Sequence, residues 1–443
     1  MMKLSRFVKP TLLLCVLTLP FNNSSVFAVG SGGFENPSFS ASSLGQANAV
    51  VAQADEASAI SYNPAGIVYL PGVQTQTSAA FISMFTKREA RNGDSNWSSG
   101  TGSLVPTAYL TINPGHYLKD RVAFGVGSDS PFGLANKYDS AHSHVHYTGW
   151  KNAIKMFTVK PVMSVKLHDK LSVGAGPIYH RVFDISSTLA YPNVLLGAGL
   201  PDGQARVNLT GDGWGWHFGA LAKPHEKHQF GFYFRSPVTV QTHGRVKVEN
   251  AAVGGAFETK ANAKFELPLN FTWAYAYKPT RKLTVEADVG FTRWAAHERL
   301  FIDTAPVNAA NDAILAAIGK SSKDYSNTWS FHLGGNHKTT ERLTLRAGGL
   351  FYSNAVPEEN FIPAVPDSNS LAFGLGGGYK ITQNFSVDLT YFTRFWLNRS
   401  IDNSISEVLG TSVDGKYFSY LQMGMVTFSY KWEPKAKELV SAA

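Results

Sequence analysis

Between residues 73 and 432 the side chains alternate apolar and polar with a period of two, and the connections between the alternating runs sort by parity. Lys282 to Arg293 shows the pattern. Leu283, Val285, Ala287, Val289 and Phe291 share one face, and Thr284, Glu286, Asp288 and Thr292 share the other. Asn384 to Leu397 repeats it, with Phe385, Val387, Leu389, Tyr391, Phe395 and Leu397 against Ser386, Asp388, Thr390 and Arg394. Successive side chains of a strand point to opposite faces, so each run is a strand with one apolar and one polar side. The expected strands are 73–86, 103–112, 121–130, 153–167, 171–189, 212–223, 228–247, 261–278, 282–302, 325–338, 342–353, 370–381, 384–397 and 416–432, fourteen in all. Every second gap is a short polar turn: Asn113–Asp120, His168–Lys170, Pro224–Lys227, Pro279–Arg281, Thr339–Glu341 and Thr382–Gln383. The other gaps are long: 87–102, 131–152, 190–211, 248–260, 303–324, 354–369 and 398–415. A soluble sandwich has no reason to sort its loops this way. An up-and-down barrel in an outer membrane has one, with short turns at the periplasmic end and long loops outside.

Composition agrees. Apolar residues make up 44% of the 443, yet no apolar run after the N-terminus reaches the ~18 residues of a membrane helix. Only 16% of residues are charged, too few for a disordered chain. The net charge of +8 is scattered singly and in pairs, without the basic block a nucleic-acid partner would call for. Lys3, Arg6 and Lys9, the apolar stretch Thr11–Leu19 and the small-residue site Val26-Phe27-Ala28 read as a secretory signal over residues 1–28. The only cysteine, Cys15, falls inside it, so a mature chain cleaved after Ala28 has no disulfide and no thiolate metal site.

Three segments stand apart from the strands. Residues 29–72 are rich in Gly, Ser, Ala and Asn, do not alternate, and contain the turn Asn63-Pro64-Ala65-Gly66. They suit a plug for a barrel of fourteen strands, which has a lumen wide enough to need filling. Asn308 to Ile318 reads as a helix in a loop, and Val194–Leu200 as a short apolar stretch. After Trp432 the polar residues 433–443 suggest a periplasmic tail. His142, His144 and His146 alternate in a long loop. That spacing suits a metal on one strand face, but no carboxylate pattern completes a site, and none is expected. The G-x-S-x-G, H-E-x-x-H and P-loop patterns are missing, and no enzyme or cofactor is expected.

Several motifs, in order along the chain, resemble the FadL/TodX family of outer-membrane transporters for hydrophobic compounds. Gly33-Phe34, Leu44-Gly45-Gln46-Ala47, Asp55-Glu56-Ala57 and Asn63-Pro64-Ala65 are similar to that family's N-terminal hatch. Gly125-Val126-Gly127 through Pro131-Phe132-Gly133-Leu134 is similar to its third strand. Gly211 to Trp216, Arg235-Ser236-Pro237, Leu267-Pro268, Thr292-Arg293-Trp294, Val356-Pro357 and Ile362–Asp367 extend the likeness. The resemblance implies an all-β fold: a fourteen-stranded antiparallel transmembrane barrel over 73–432, with a hatch over 29–72 plugging the lumen. It implies passive uptake of long-chain fatty acids or similar molecules by a monomer, with lateral exit into outer-membrane lipid at a kink in the third strand. Transport of neutral aromatic hydrocarbons is the alternative, and a surface adhesin the alternative of another class.

Site residues follow from the same resemblance. Ser130, Pro131, Phe132 and Gly133 are the candidate exit, since Pro cannot donate to a ladder; they also suit an ordinary strand end. Phe34, Leu44, Gly45, Asn63, Pro64 and Ala65 belong to the hatch, and Asn63 is placed near a bound headgroup, although Asn before Pro also simply forms turns. The family's carboxylate clamp of one Arg and one Lys points to Arg181, Lys320 and Lys323. Arg181 stands several positions before the matching place, which holds Ser or Thr, and all three also suit a solvated rim. In the last strand Leu421, Met423 and Met425 oppose the aromatic face of Phe418, Tyr420, Phe428, Tyr430 and Trp432. They suit either a greasy ligand or the hatch.

Overall fold

The computed structural model describes residues 34–36, 38–99, 102–140, 143–193, 201–251, 255–296, 299–318, 320–322, 324–405 and 411–433. The signal segment 1–28, His142, Val194–Leu200, Lys323 and the tail 434–443 lie outside them. Fourteen antiparallel strands close on themselves. They are β1 (Gly72–Glu89), β2 (Ser103–Asn113), β3 (Val122–Asp129 and Leu134–Lys137), β4 (Lys151–His168), β5 (Leu171–Tyr191) and β6 (Gly203–His225). Next come β7 (His228–Arg235 and Val238–Ala251), β8 (Gly255–Leu267 and Asn270–Tyr277), β9 (Leu283–Thr292 and Arg299–Thr304) and β10 (Lys320–Ser322 and Thr328–Lys338). β11 (Leu343–Tyr352), β12 (Ser370–Lys380), β13 (Phe385–Ile401) and β14 (Gly415–Trp432) complete the wall. β1 joins β14 in one register from Val73↔Trp432 to Glu89↔Lys416, so the sheet has no free edge there. No helix among the described residues is long and apolar enough to cross a membrane; the strands form the wall.

The alternation sorts as expected. Along β14 the residues Leu421, Met423 and Met425 are buried inside, while Phe428 and Tyr430 are exposed outside. Aromatic side chains recur on the outer face, with Trp214 and Trp216 65% and 64% exposed. Such a surface suits hydrocarbon flanked by interfacial aromatics.

Two expectations about strand lengths are corrected. Residues 203–211, 248–251 and 255–260 are strand, not loop, because β6, β7 and β8 run on above the aromatic band as a paired projection (Gln204↔Glu249, Val248↔Phe257). Their outward residues change there from Trp216 and Trp214 to Asp212, Asn208 and Arg206, which marks the edge of the apolar belt. Conversely, the runs read as continuous over 228–247, 261–278 and 282–302 are each broken, at 236–237, 268–269 and 293–296. Pro237 and Pro268 bring no ladder donor at the first two breaks. The helix α4 (Ala309–Ile318) forms in its loop, and Ile314 and Leu315 are buried against Val246, Val248, Ala261 and Ala263.

The hatch lies inside the barrel. It contains α1 (Ala41–Gly45), α2 (Ala59–Tyr62) and a 3-10 turn (Pro64–Tyr69), nearly all buried. Ser40 caps α1 through a capping box with Ser43. Lumen-facing side chains bind the hatch backbone from all round the wall. Thr427 accepts from Ala41 N (2.7 Å), and Thr390 donates to Ala41 O (2.5 Å). Glu286 accepts from Ala52 N and Gln53 N (2.6 and 2.9 Å), and Asp288 from Val50 N (3.2 Å). Thr107 donates to Phe39 O (2.9 Å). A segment too short for its own core thus satisfies its backbone on the barrel's polar inner face.

Candidate functional site

The wall has a gap. β2 pairs with β3 only from Ala108 to Ile112, so Ser103–Thr107 have β1 on one side and no β3 partner on the other. At Asp129 the chain leaves the ladder and turns inward, and it rejoins β4 at Leu134↔Ile154. The diverted residues Ser130–Gly133 pair with the hatch instead. Asn36 N donates to Pro131 O (2.7 Å), Gly133 N to Phe34 O (2.9 Å) and Asn36 Nδ2 to Ser130 O (3.0 Å), with Glu35 opposite Phe132. Ser99 N bonds Lys137 O (2.7 Å) above the gap. The sequence-derived exit segment is therefore a real interruption of the wall, and its backbone groups are satisfied by the plug.

Two buried ion pairs brace this junction. Asp129 meets Lys160 of β4 at 2.6 Å, both side chains almost wholly buried. Asp129 also accepts from Thr158 (2.6 Å), Tyr109 (3.3 Å) and the hatch residue Ser61. Arg235 of β7 holds Glu35 at 2.8 Å and lies 4.6 Å over the Phe132 ring. Buried ions are tolerated because each has a partner and further hydrogen bonds.

Above the hatch the lumen is apolar. Phe34 and Phe132 pack with Val182, Val238, Phe265, Leu267, Trp294, Val356 and Phe361. The Phe34 ring stands edge-on to Trp294 at 4.7 Å. Below the hatch, on the short-turn side, a cavity of about 520 Å³ is lined by charged and polar groups, among them Asp55, Glu56, Lys338, Arg342, Arg346 and Asp388. A hydrocarbon is favoured above the plug and disfavoured below it, at about 0.8 kcal/mol per CH₂.

The structure brings together some of the residues expected at the site and separates others. Asn63 is fully buried and spent on structure. Its Nδ2 donates to Val51 O (2.7 Å) and Ala220 O (3.1 Å), and its Oδ1 accepts from Ala65 N (3.2 Å). A side chain on Gly219 would begin 2.2 Å from that Oδ1, and one on Gly174 would begin 2.5 Å from Pro64. Ala65 O accepts from Ser164 and Ser172 (3.2 and 2.8 Å). The Asn-Pro-Ala turn docks into a notch of glycines and serines. Leu44 and Gly45 end α1 against β12 and β13. Leu421, Met423 and Met425 join Ala41 and Leu44 of the hatch, Ile82, Met84 and Val105 in one buried apolar cluster.

Of the three clamp candidates the structure places Arg181, and it lies outside the lumen. Arg181 shares the outward face of β5 with Tyr179 and Phe183 and pairs with Asp212 at 3.6 Å. Period two alone places it there, one position out of step with the lumen. Lys320 opens a three-residue strand segment opposite Phe301, and its side chain, like Lys323, lies outside the described residues. His144 and His146 do not share a strand face either. His144 and His146 lie in α3 (Ser143–His146), where His146 meets Asp202 at 3.0 Å, and no cluster of three metal-ligating residues occurs among the described residues. Tyr147 also donates to Asp202 (2.7 Å), and its hydroxyl is pushed up to about 12, by burial first and then by that carboxylate.

Sequence alternation puts Arg394 on a polar strand face without giving it a role. Arg394 of β13, only 2% exposed, shares the inner face with Phe392 and Trp396. Its signal was its parity with Asp388 and Thr390.

A sequence profile described as Outer membrane protein transport protein (OMPP1/FadL/TodX) matches residues 25–431. Outer membrane protein P1 of Haemophilus influenzae is 26% identical over 407 residues, covering 82% of this chain and 85% of that protein. The 47 kDa outer membrane protein of Pasteurella multocida is 24% identical, covering 88% and 91%. Among solved structures, a FadL homologue of Pseudomonas aeruginosa superposes with a TM-score of 0.79 at 20% identity, over 90% of this chain and 99% of that one. The toluene transporter TodX of P. putida superposes with 0.63 at 17% identity, over 85% and 94%.

Proposed function

The chain belongs to the OMPP1/FadL/TodX family of outer-membrane transporters for hydrophobic compounds, and on that premise we propose that it takes up long-chain fatty acids or similar amphiphiles passively. The ligand enters the apolar chamber above the hatch and leaves sideways, through the gap beside Ser130–Gly133, into the lipid. The observation that carries this reading is that gap: a wall segment that pairs with the plug instead of with its neighbouring strand. A route through apolar side chains into lipid keeps a tail of many CH₂ groups out of water throughout. The polar vestibule below the hatch offers no such route. The chain works as a monomer in lipid, without cofactor and without an enzymatic step.

Neutral aromatic hydrocarbons are the second reading. The outward position of Arg181, which removes one expected headgroup contact, favours it. Cells expressing and lacking the protein, given radiolabelled oleate or toluene, separate the possibilities. Expression-dependent accumulation of oleate is the expected result. Accumulation of toluene alone selects the neutral substrate. Dependence of neither on expression contradicts transport and leaves the surface-adhesin alternative.

A further inference from the structure

The short turns carry a repeat. Lys-x-His-x-Lys closes the hairpins at Lys166–Lys170 and Lys223–Lys227, and Lys-x-Thr-x-Lys the one at Lys278–Lys282. Lys338–Arg342 and Lys380–Asn384 vary only the last residue. The central His or Thr explains the turn. Its side chain accepts from the backbone N–H two residues on, at 3.3 Å for His168 and 3.2 Å for His225, Thr280, Thr340 and Thr382. The charged ends of the flanking residues take no part in it.

Those cations face one another across the strands instead. Below the last ladder rungs, Lys166 N donates to Arg121 O, Lys223 N to Lys170 O and Lys278 N to Lys227 O, each at 2.8 Å. Lys338 N to Lys282 O (2.8 Å) and Lys380 N to Arg342 O (2.9 Å) repeat the arrangement. Like charges directly opposite are unfavourable, yet they recur on every strand couple from β3 to β12, and Lys431 of β14 adds another cation. These residues share parity with the inner-face Ser164, Ser172, Leu221 and Ala276, so they point to the mouth of the lumen. Lys166 and Lys223 lie 5.0 and 3.7 Å from the ring of the hatch residue Tyr69, and Lys338, Arg342, Lys380 and Lys431 line the vestibule. Among the described residues none of these cations has a carboxylate within ion-pair distance, the turn acids Asp120, Asp169, Glu226 and Glu341 included. The vestibule acids are engaged elsewhere: Glu56 accepts from Ser40, Ser58 and Gln76, and Asp388 holds Arg346.

The surroundings select the counter-ion. On the outer face at the same level stand Leu167, Leu171, Tyr277, Tyr379, Ile381 and Tyr430, all exposed. Lipid meets those side chains, while the cations stand on the other side of the wall and open to the periplasm. From β3 to β12 the arc spans nine interstrand spacings, roughly 43 Å, too long for one small anion. Carboxylates three and four apart on a helix lie about 5–6 Å from each other, close to the spacing of adjacent strands. We propose that the short-turn mouth docks an acidic segment of a periplasmic protein, with its carboxylates seated between the opposed cations. This site is separate from the exit gap, and it does not depend on which compound is transported.

The full chain in phosphatidylcholine nanodiscs, titrated with a fluorescein-labelled peptide of five Glu-Glu-Ala-Ala repeats, tests it by anisotropy. The peptide is expected to bind about tenfold or more tightly than its Gln-Gln-Ala-Ala counterpart. Raising NaCl from 50 to 300 mM is expected to weaken it about tenfold, since exposed charges are screened. Combining Lys170→Gln, Lys223→Gln, Lys282→Gln and Lys338→Gln is expected to weaken it about tenfold or more. Lys247→Gln with Lys260→Gln, on the opposite end of the barrel, is expected to change nothing. Because the fourfold variant removes two like-charge pairs, its heat-modifiable gel migration is expected to survive to at least the wild-type temperature. A lower temperature would show that the cations already have a stabilising partner within the chain, and would overturn the site. Equal binding of the Gln peptide, or binding retained in the fourfold variant, also overturns it. Displacement of the peptide by 10 mM inorganic phosphate at constant ionic strength would make this a small-anion site. Loss of binding when half the nanodisc lipid is phosphatidylglycerol would assign the cations to lipid headgroups. Either result contradicts the docking of a protein segment.

Discussion

Asn63 uses its side-chain amide and carbonyl inside the protein, between Val51, Ala65 and Ala220. Its role is to pin the hatch to the wall, which makes it a poor candidate for touching ligand. Asn63→Ala would strand two buried carbonyls, at about 1–3 kcal/mol each. The expected result is a looser plug, seen as faster hydrogen exchange of the amides around Val51 and Ala65. Unchanged exchange would mean that the turn holds itself without the side chain. At this scale the sequence was legible by parity and misleading by resemblance. Arg181 keeps step with Tyr179 and Phe183, which already marks an outward face, whereas Arg394 keeps step with Asp388, Thr390 and Trp396. Motif position drew attention to the first; alternation pointed to the second.

Strand β3 shows what one element contributes. Its lower half is an ordinary ladder, and its upper half survives only beside β4. Between them Asp129 gathers β2, β4 and the hatch through Tyr109, Thr158, Lys160 and Ser61. Asp129→Asn leaves Lys160 buried without its partner and should cost about 3–5 kcal/mol, lowering the temperature at which the compact gel form is lost. The double variant Asp129→Asn with Lys160→Met should recover most of that loss, because no charge is then left unpaired. A double variant less stable than the single one would show that the pair has a different role. The inward turn at Ser130–Gly133 was legible because Pro131 and Gly133 are visible in the sequence. The same signals at Pro237 and Pro268 were read through as continuous strand, since apolar alternation resumes on both sides. The strands above the membrane belt were missed for the opposite reason. Arg206 and Asn208 alternate correctly with Ala205, Val207 and Leu209, but their polar outer face looks like loop.

Across the whole molecule, the parity of turn lengths specified a closed barrel, and the structure closes β1 onto β14 with fourteen strands. What the sequence could not give was how the plug meets the wall. The contacts described above join residues from 68 to 386 positions apart, such as Phe39 with Thr107 and Ala41 with Thr427. No local pattern records them. The central claim is that ligand leaves where the plug pairs with the diverted wall. Asn36 and Pro131 are directly bonded across that junction, and the described residues hold no cysteine. Cysteines at these two positions would stand at about the 5.5 Å Cα separation that a disulfide spans. Uptake of radiolabelled oleate by cells carrying this pair, measured oxidised and then reduced, is the most direct test. Uptake blocked by oxidation and restored by reductant, with surface binding of oleate retained in both states, is the predicted result. Wild-type uptake with the disulfide verified by mass spectrometry would contradict it.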